Sequence, residues 1–257
     1  MILWTGDNAP HDVWKSSEHE VIQSTTAMTS ALSSVGASIF PIQGGFDTYP
    51  VNYQDFTQPN SNNAIKSYAQ AWSTFLDAGN QQLYKRFGYY SQQYTVKNGQ
   101  KHQTTTLTKI IGLNTQACNT ENWGILKVRY DPGDQIAWLQ TELANIAAQN
   151  GQVIIIANVP PFKDCVDSWA VRYRSLMQQY QHVVRATFTG HTSEEGVAVT
   201  QAFYAQDPVN IGLNFVTGSL SPYTGGNPSF AVIEFDAEHY IPVSYKTYGI
   251  DMSQTNA

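Results

Sequence analysis

Charge is scarce in this sequence. Lys, Arg, Asp and Glu make up 13% of its 257 residues and the net charge is −6. No basic surface is dense enough for a nucleic acid, and no nucleic-acid partner is expected. Long apolar runs are missing as well. Nothing approaches the roughly 18 consecutive apolar residues of a membrane-spanning helix, so no transmembrane segment is expected. The opening Met1-Ile2-Leu3-Trp4-Thr5-Gly6-Asp7 has neither the charged nor the apolar stretch of a secretory signal. It reads as a strand from the outset, and the expectation is a chain truncated at its N-terminus. Cysteine is limited to Cys118 and Cys165, which as residues suit one disulfide or two buried thiols.

What the chain does have is neutral polarity. Gln, Asn, Ser and Thr carry it, beside 15 Tyr and 6 Trp, large amphipathic side chains that look for hydrogen-bond partners when buried. The length suits a single α/β domain over residues 1–257. Residues 2–5 form an apolar run ending in Gly6-Asp7, the pattern of a buried parallel strand with an acid at its C-terminal end. Ser17 and Glu20 make a capping box, and Val21, Thr25, Met28, Leu32 and Val35 follow at helical spacing up to Gly36. Residues 38–42 read as the next strand and Gly44-Gly45 as a turn, completing a βαβ unit. Residues 62–87 predict one or two helices broken near Gly79. Residues 89–96, Asn98-Gly99 and residues 104–113 predict a hairpin that opens a second sheet. A helix after Pro132 (Ile136, Leu139, Leu143, Ile146), a strand at 153–157, a helix at 168–180 and a strand at 184–189 follow. Strands at 197–204, 212–216 and 230–235 complete the pattern.

Four strand-end loops stand out. They are Thr5-Gly6-Asp7 with His11-Asp12-Val13-Trp14, Gly44-Gly45-Phe46-Asp47 with Pro50-Val51-Asn52, Asn158-Val159-Pro160-Pro161, and Gly190-His191-Thr192-Ser193. In order and approximate spacing they resemble the GD, GNH, GH and GHxH blocks of calcineurin-like metallophosphoesterases, with the HDVW and PVN extensions of acid sphingomyelinases. Segments 118–123, 131–135 and 226–230 resemble that family too, so the likeness covers almost the whole chain. It implies a four-layer α/β/β/α sandwich, two mixed sheets flanked by helices.

The resemblance also implies a chemistry. Family members hold two zinc ions with strand-end Asp, His and Asn side chains around a bridging carboxylate, and such a pair activates water and clamps phosphoryl oxygens. Asp7 matches the bridging Asp, His191 the first His of GHxH, and His11 a histidine near the substrate phosphate. Gly45 stands where a ligand Asn belongs, Phe46 where a histidine assists the leaving group, Asn158 where a ligand His belongs and Ser193 where the last His belongs. The D-x-H block is absent from the sequence. Glycine offers no side-chain donor, phenylalanine no proton, and an amide oxygen is a poor substitute for imidazole at zinc. Asp7, His191 and Asn158 remain as residual metal candidates and His11 as a residual catalytic one. With so few metal partners, Asp7 is expected to serve backbone N–H groups of a neighbouring turn, and Asp47 to cap a helix or turn. The resemblance also pairs Cys118 with Cys165 in a disulfide, hence an oxidising compartment.

The reading is a non-catalytic sphingomyelinase-like protein, secreted or lumenal as in a lysosome. Its role would be structural, binding or assembly, as a homo-oligomer or filament or with other extracellular proteins, and no cofactor is expected. The alternative is a zinc-dependent phosphodiesterase acting on sphingomyelin or a related phosphate ester, its ligands completed by an upstream segment.

Overall fold

The computed structural model describes residues 1–95, 107–128, 130–202, 209–236 and 239–254. Strand β1 (Ile2–Trp4) pairs in parallel with β2 (Ile39–Pro41), and Ile2 N donates to Ser38 O at 2.8 Å. Between them runs helix α1 (Glu18–Ser33). The Ser17 hydroxyl accepts from Glu20 N at 3.3 Å and donates to the Glu20 carboxylate at 2.9 Å, so both capping residues act at this end. Val21 and Thr25 face inward, whereas Val35 lies past the helix and is exposed, one position too many for the periodic pattern.

Helix α2 (Asn63–Ala71) is capped by Asn62, and helix α3 (Ala78–Phe87) is capped by Asp77, whose carboxylate accepts from Asn80 N at 2.9 Å. The break between them therefore falls before Asp77, and Gly79 sits inside the first turn of α3. An acidic N-cap decides the boundary where a lone glycine does not. Gly88, at φ 87°, ends α3 in the left-handed conformation that glycine adopts freely.

The main sheet has six strands: β3 (Tyr90–Gln93), β4 (Thr108–Gly112), β5 (Gln152–Ile156), β6 (Val184–Thr189), β7 (Gly196–Gln201) and β8 (Asn210–Val216). Their order is β3-β4-β5-β6-β8-β7, with parallel pairing from β4 to β8 and antiparallel edges. The expected Asn98-Gly99 turn lies outside the described residues. Every residue of β5 is buried, as a strand covered on both faces requires. Helices α4 (Gln135–Ala148) and α5 (Asp167–Gln179) cover one face through Ile136, Leu139, Leu143, Ile146, Trp169 and Leu176.

The other face packs on β1–β2 and on a separate hairpin, β9 (Ser229–Phe235) with β10 (Pro242–Gly249). Trp4, Phe40 and Ile42 share one core there with Ile154, Phe188, Ile233 and Phe235. Helices α1 to α3 close the outer side of β1–β2, where Trp72 meets Trp4 edge-on at 5.6 Å and donates to the Thr29 hydroxyl at 3.0 Å. The layers run helix, sheet, sheet, helix, with the second sheet in two pieces. Strand β10 was not foreseen in the sequence.

Cys118 and Cys165 form a disulfide with Cα atoms 4.8 Å apart. Closing a loop of 47 residues stabilises by about 4 kcal/mol in the chain-entropy picture. The bridge fastens the loop after β5 to the segment after β4, where Thr120 N donates to Asp164 O at 2.9 Å. Among the described residues no helix is long and apolar enough to cross a membrane.

Candidate functional site

The loops after β1, β2, β5 and β6 converge on one end of the sheets. Gly6 (φ 85°) and Asp7 (φ 61°) turn the chain sharply out of β1, and a Cβ on Gly6 would collide with the backbone of Gln43 and Gly44. That close approach brings the Asp7 carboxylate onto the β2 loop. One oxygen of Asp7 accepts from Phe46 N at 2.9 Å, and the other accepts from the Asn158 amide nitrogen at 2.8 Å. Asn158 also donates to Thr5 O at 2.8 Å. Asp7 thus already receives a protein donor on each oxygen. Burial pushes its carboxyl above the usual range, while Asn158, Phe46 and His191 pull it back.

Asp47 is wholly buried and does more than close its own turn. Its carboxylate accepts from the backbone N–H groups of Asp7, Asn8 and Gly44, each at 2.8 Å. The Asn8 amide and the Thr25 hydroxyl donate to it as well, at 3.0 and 3.2 Å. One side chain therefore ties β1's loop, β2's loop and α1. Burial, and next the neighbouring Asp7 charge, push the Asp47 carboxyl up to about 6 against these five donors.

The sequence-singled residues fall into three groups. Asp7 and Asn158 meet directly, and Asp7, His11 and His191 line a cleft of about 350 Å³. The His191 Nε2 lies 3.7 Å from the Asp164 carboxylate, and its Nδ1 is buried with no partner among the described residues. Ser193 lines the same cleft. Gly45 and Phe46 look elsewhere. A side chain at Gly45 would overlap that of Asn52, which bonds Glu121 and accepts from Asn119 at 3.1 Å. The Phe46 ring packs on His11, centroids 4.0 Å apart, and His11 stacks on Tyr223 at 3.8 Å. His11 is thus held in a row of rings, and burial lowers its pKa. Tyr223 and Asn8 carried no sequence signal, since one is a lone aromatic and the other a lone amide in polar loops.

A zinc pair does not fit these residues. A catalytic zinc takes three protein ligands, and the imidazole and carboxylate donors meeting here come from His191 and Asp7. The Asp7 oxygens are engaged by Phe46 and Asn158, and the Gly45 position is filled by Asn52. Among the described residues no three His, Cys, Asp or Glu side chains gather in a metal-holding group.

No protein-family model matches the chain. Sphingomyelin phosphodiesterase B of Dictyostelium discoideum is 26% identical over 270 residues, covering 100% of this chain and 40% of that protein. The chain is similar to sphingomyelin phosphodiesterases over its whole length. Human sphingomyelin phosphodiesterase is likewise 26% identical, over 268 residues that cover 100% of this chain and 40% of the enzyme. The human cyclic GMP-AMP phosphodiesterase SMPDL3A is 27% identical, with 100% of this chain and 57% of that protein covered. This sphingomyelinase-like chain therefore spans about two fifths of the length of the first two relatives and somewhat over half of the third. These relatives are phosphodiesterases by name.

Proposed function

We propose that this sphingomyelinase-like chain is non-catalytic and serves a structural, binding or assembly role outside the cytosol, alone as a homo-oligomer or with other extracellular proteins. The observation that carries the reading is Asp7. The residue matching the bridging metal ligand gives one oxygen to a backbone N–H and the other to an amide, so a lone pair on each oxygen already holds the loops together. A zinc ion bound there would have to compete with both donors, while Gly45 and Phe46 would contribute nothing to it. The Cys118–Cys165 bridge supports an oxidising compartment.

The competing reading is a zinc-dependent diesterase, favoured by the relatives' names. The two separate in one experiment on the purified protein: zinc content by elemental analysis beside hydrolysis of bis(p-nitrophenyl) phosphate at acid and neutral pH. The expected result is protein well below one zinc per chain, with no turnover above buffer. Near-stoichiometric zinc with turnover abolished by chelation would sink the proposal.

A further inference from the structure

Hairpin β9–β10 is apolar on both faces. Along β9 half-buried and exposed residues alternate: Ala231, Ile233 and Phe235 turn inward, and Phe230, Val232 and Glu234 turn outward. Ile233, Phe235 and Tyr245 pack on the core of the sandwich. A sheet with one face in water carries polar side chains on that face. The outer row of this hairpin is largely apolar instead. Phe230 stands directly across from Tyr248 and their rings stack at 5.5 Å, yet they are 53% and 50% exposed. Val232, next in the row on β9, is 42% exposed. Ile250 N donates to Pro228 O, one step further along the ladder, so alternation places the exposed Ile250 in the same row. Four large apolar side chains side by side on one surface mark a place where another molecule sits.

The charges in the row decide what can cover it. Val232 pairs across with Lys246, whose ammonium meets the Glu234 carboxylate at 3.1 Å, both side chains 57% exposed. So exposed a pair contributes little to the hairpin itself. Once covered, each charge needs a counter-charge. A bilayer or a purely apolar segment would bury both without one, and a patch of a single sign would repel one of them. The fitting surface presents an anion and a cation side by side in reversed order. A second copy related by a two-fold axis does so by symmetry, because every contact of one residue with another is repeated the other way round. The protein carries a net charge of −6, and a row with one charge of each sign lets two copies meet without adding to that repulsion.

We infer that the outer face of β9–β10 is a two-fold interface between copies of this chain. Phe230, Val232, Tyr248 and Ile250 form its apolar centre, and Glu234 of each copy meets Lys246 of the partner subunit. Such a contact closes as a dimer and does not extend into a filament. The inference rests on the assembly reading above and gives it a surface and a symmetry.

The test is sedimentation velocity on the full chain from about 1 to 100 μM, the range that reveals a micromolar dimer, at about 50 mM salt, where charge pairs are little screened. The wild type is expected to pass from monomer to dimer across it. Phe230→Ser should weaken association at least about tenfold, with the circular dichroism spectrum unchanged. The charges give the sharper readout. Lys246→Glu leaves two carboxylates in the row and Glu234→Lys two ammonium groups, so each variant alone should associate about tenfold more weakly. An equimolar mixture of the two should recover the dimer as a heterodimer. A role for the pair within one chain cannot produce that rescue, since neither variant regains its own partner. If Phe230→Ser fails to fold, the mixture still decides. A protein monomeric at the highest concentration, an open polymer, a dimer indifferent to Phe230→Ser, a mixture no stronger than its parts, or a monomer that binds phosphatidylcholine vesicles through Phe230 would overturn the inference. A monomer without diester turnover removes the interface and leaves the non-catalytic reading standing. Zinc-dependent turnover in a dimer removes that reading and leaves the interface.

Discussion

At this end of the sheets, a wall made by the loops of β1 and β2 differs from one made by the loops of β5 and β6 in how its polar atoms are satisfied. Beneath the loops of β1 and β2, Asp47 takes five donors and Asp7 takes two, and the space beside Gly45 is filled by the Asn52 side chain. On the loops of β5 and β6, an oxygen of Asn158 and a nitrogen of His191 are buried with no partner among the described residues. The first wall has become hydrogen-bonded architecture. The second keeps buried acceptors that no described protein group satisfies.

The largest effect expected from this contrast is at Asp47. Replacing it with alanine leaves three backbone N–H groups, an amide and a hydroxyl without their acceptor, and should cost about 4 kcal/mol in urea unfolding. A loss under about 1 kcal/mol would mean that the first wall is held by something else. Next is Gly45→Asn, which returns the side chain that the family resemblance puts there. Because it would land on Asn52, it should destabilise by about 2–3 kcal/mol and bring no gain in bound zinc. Recovery of stoichiometric zinc would break the comparison.

A smaller effect is expected from pH. The Asp47 carboxyl rises from an ordinary 3.8 to about 6 on folding, so between those values the folded protein holds the proton more tightly than the unfolded chain. Its stabilising contribution is therefore complete below about pH 4 and is lost as pH climbs through about 6. Unfolding free energy should fall by about 2 kcal/mol between pH 4 and pH 7, and Asp47→Asn should flatten the profile. Asp55, held down to about 2 chiefly by its hydrogen bond to Lys127 against opposing burial, titrates below that window. A profile rising through the same range would contradict the assignment.

Much of the fold was legible because it follows local rules. The capping box at Ser17 and Glu20, the helical stripe of Ile136, Leu139, Leu143 and Ile146, and the apolar run of β5 all appear where the pattern puts them. The break expected near Gly79 falls just before it, at the Asp77 cap, an N-terminal signal stronger than a lone glycine. Strand β10 gives little apolar signal because its half-buried positions are Pro242, Ser244 and Tyr245, while Val243 is exposed. At the site, the sequence supplied the loops and Asp7, but the network on Asp47 depends on backbone N–H groups from two loops about 40 residues apart. No side-chain pattern encodes that. Tyr223 likewise enters only because the chain after β8 returns over His11.

The smallest effect tests the second wall. His191 sits at φ 69°, a left-handed conformation that asparagine tolerates better than most residues. Among the described residues its Nδ1 has no hydrogen-bond partner that a substitution could remove, and its Nε2 stands 3.7 Å from Asp164, too far for a strong bond. His191→Asn should therefore change unfolding free energy by less than about 1 kcal/mol, with a gain as acceptable as a loss. Asp47→Ala, by contrast, removes an acceptor on which five donors depend. A loss of about 2 kcal/mol or more at His191 would show that this ring is structurally bonded, and the two walls would then be alike.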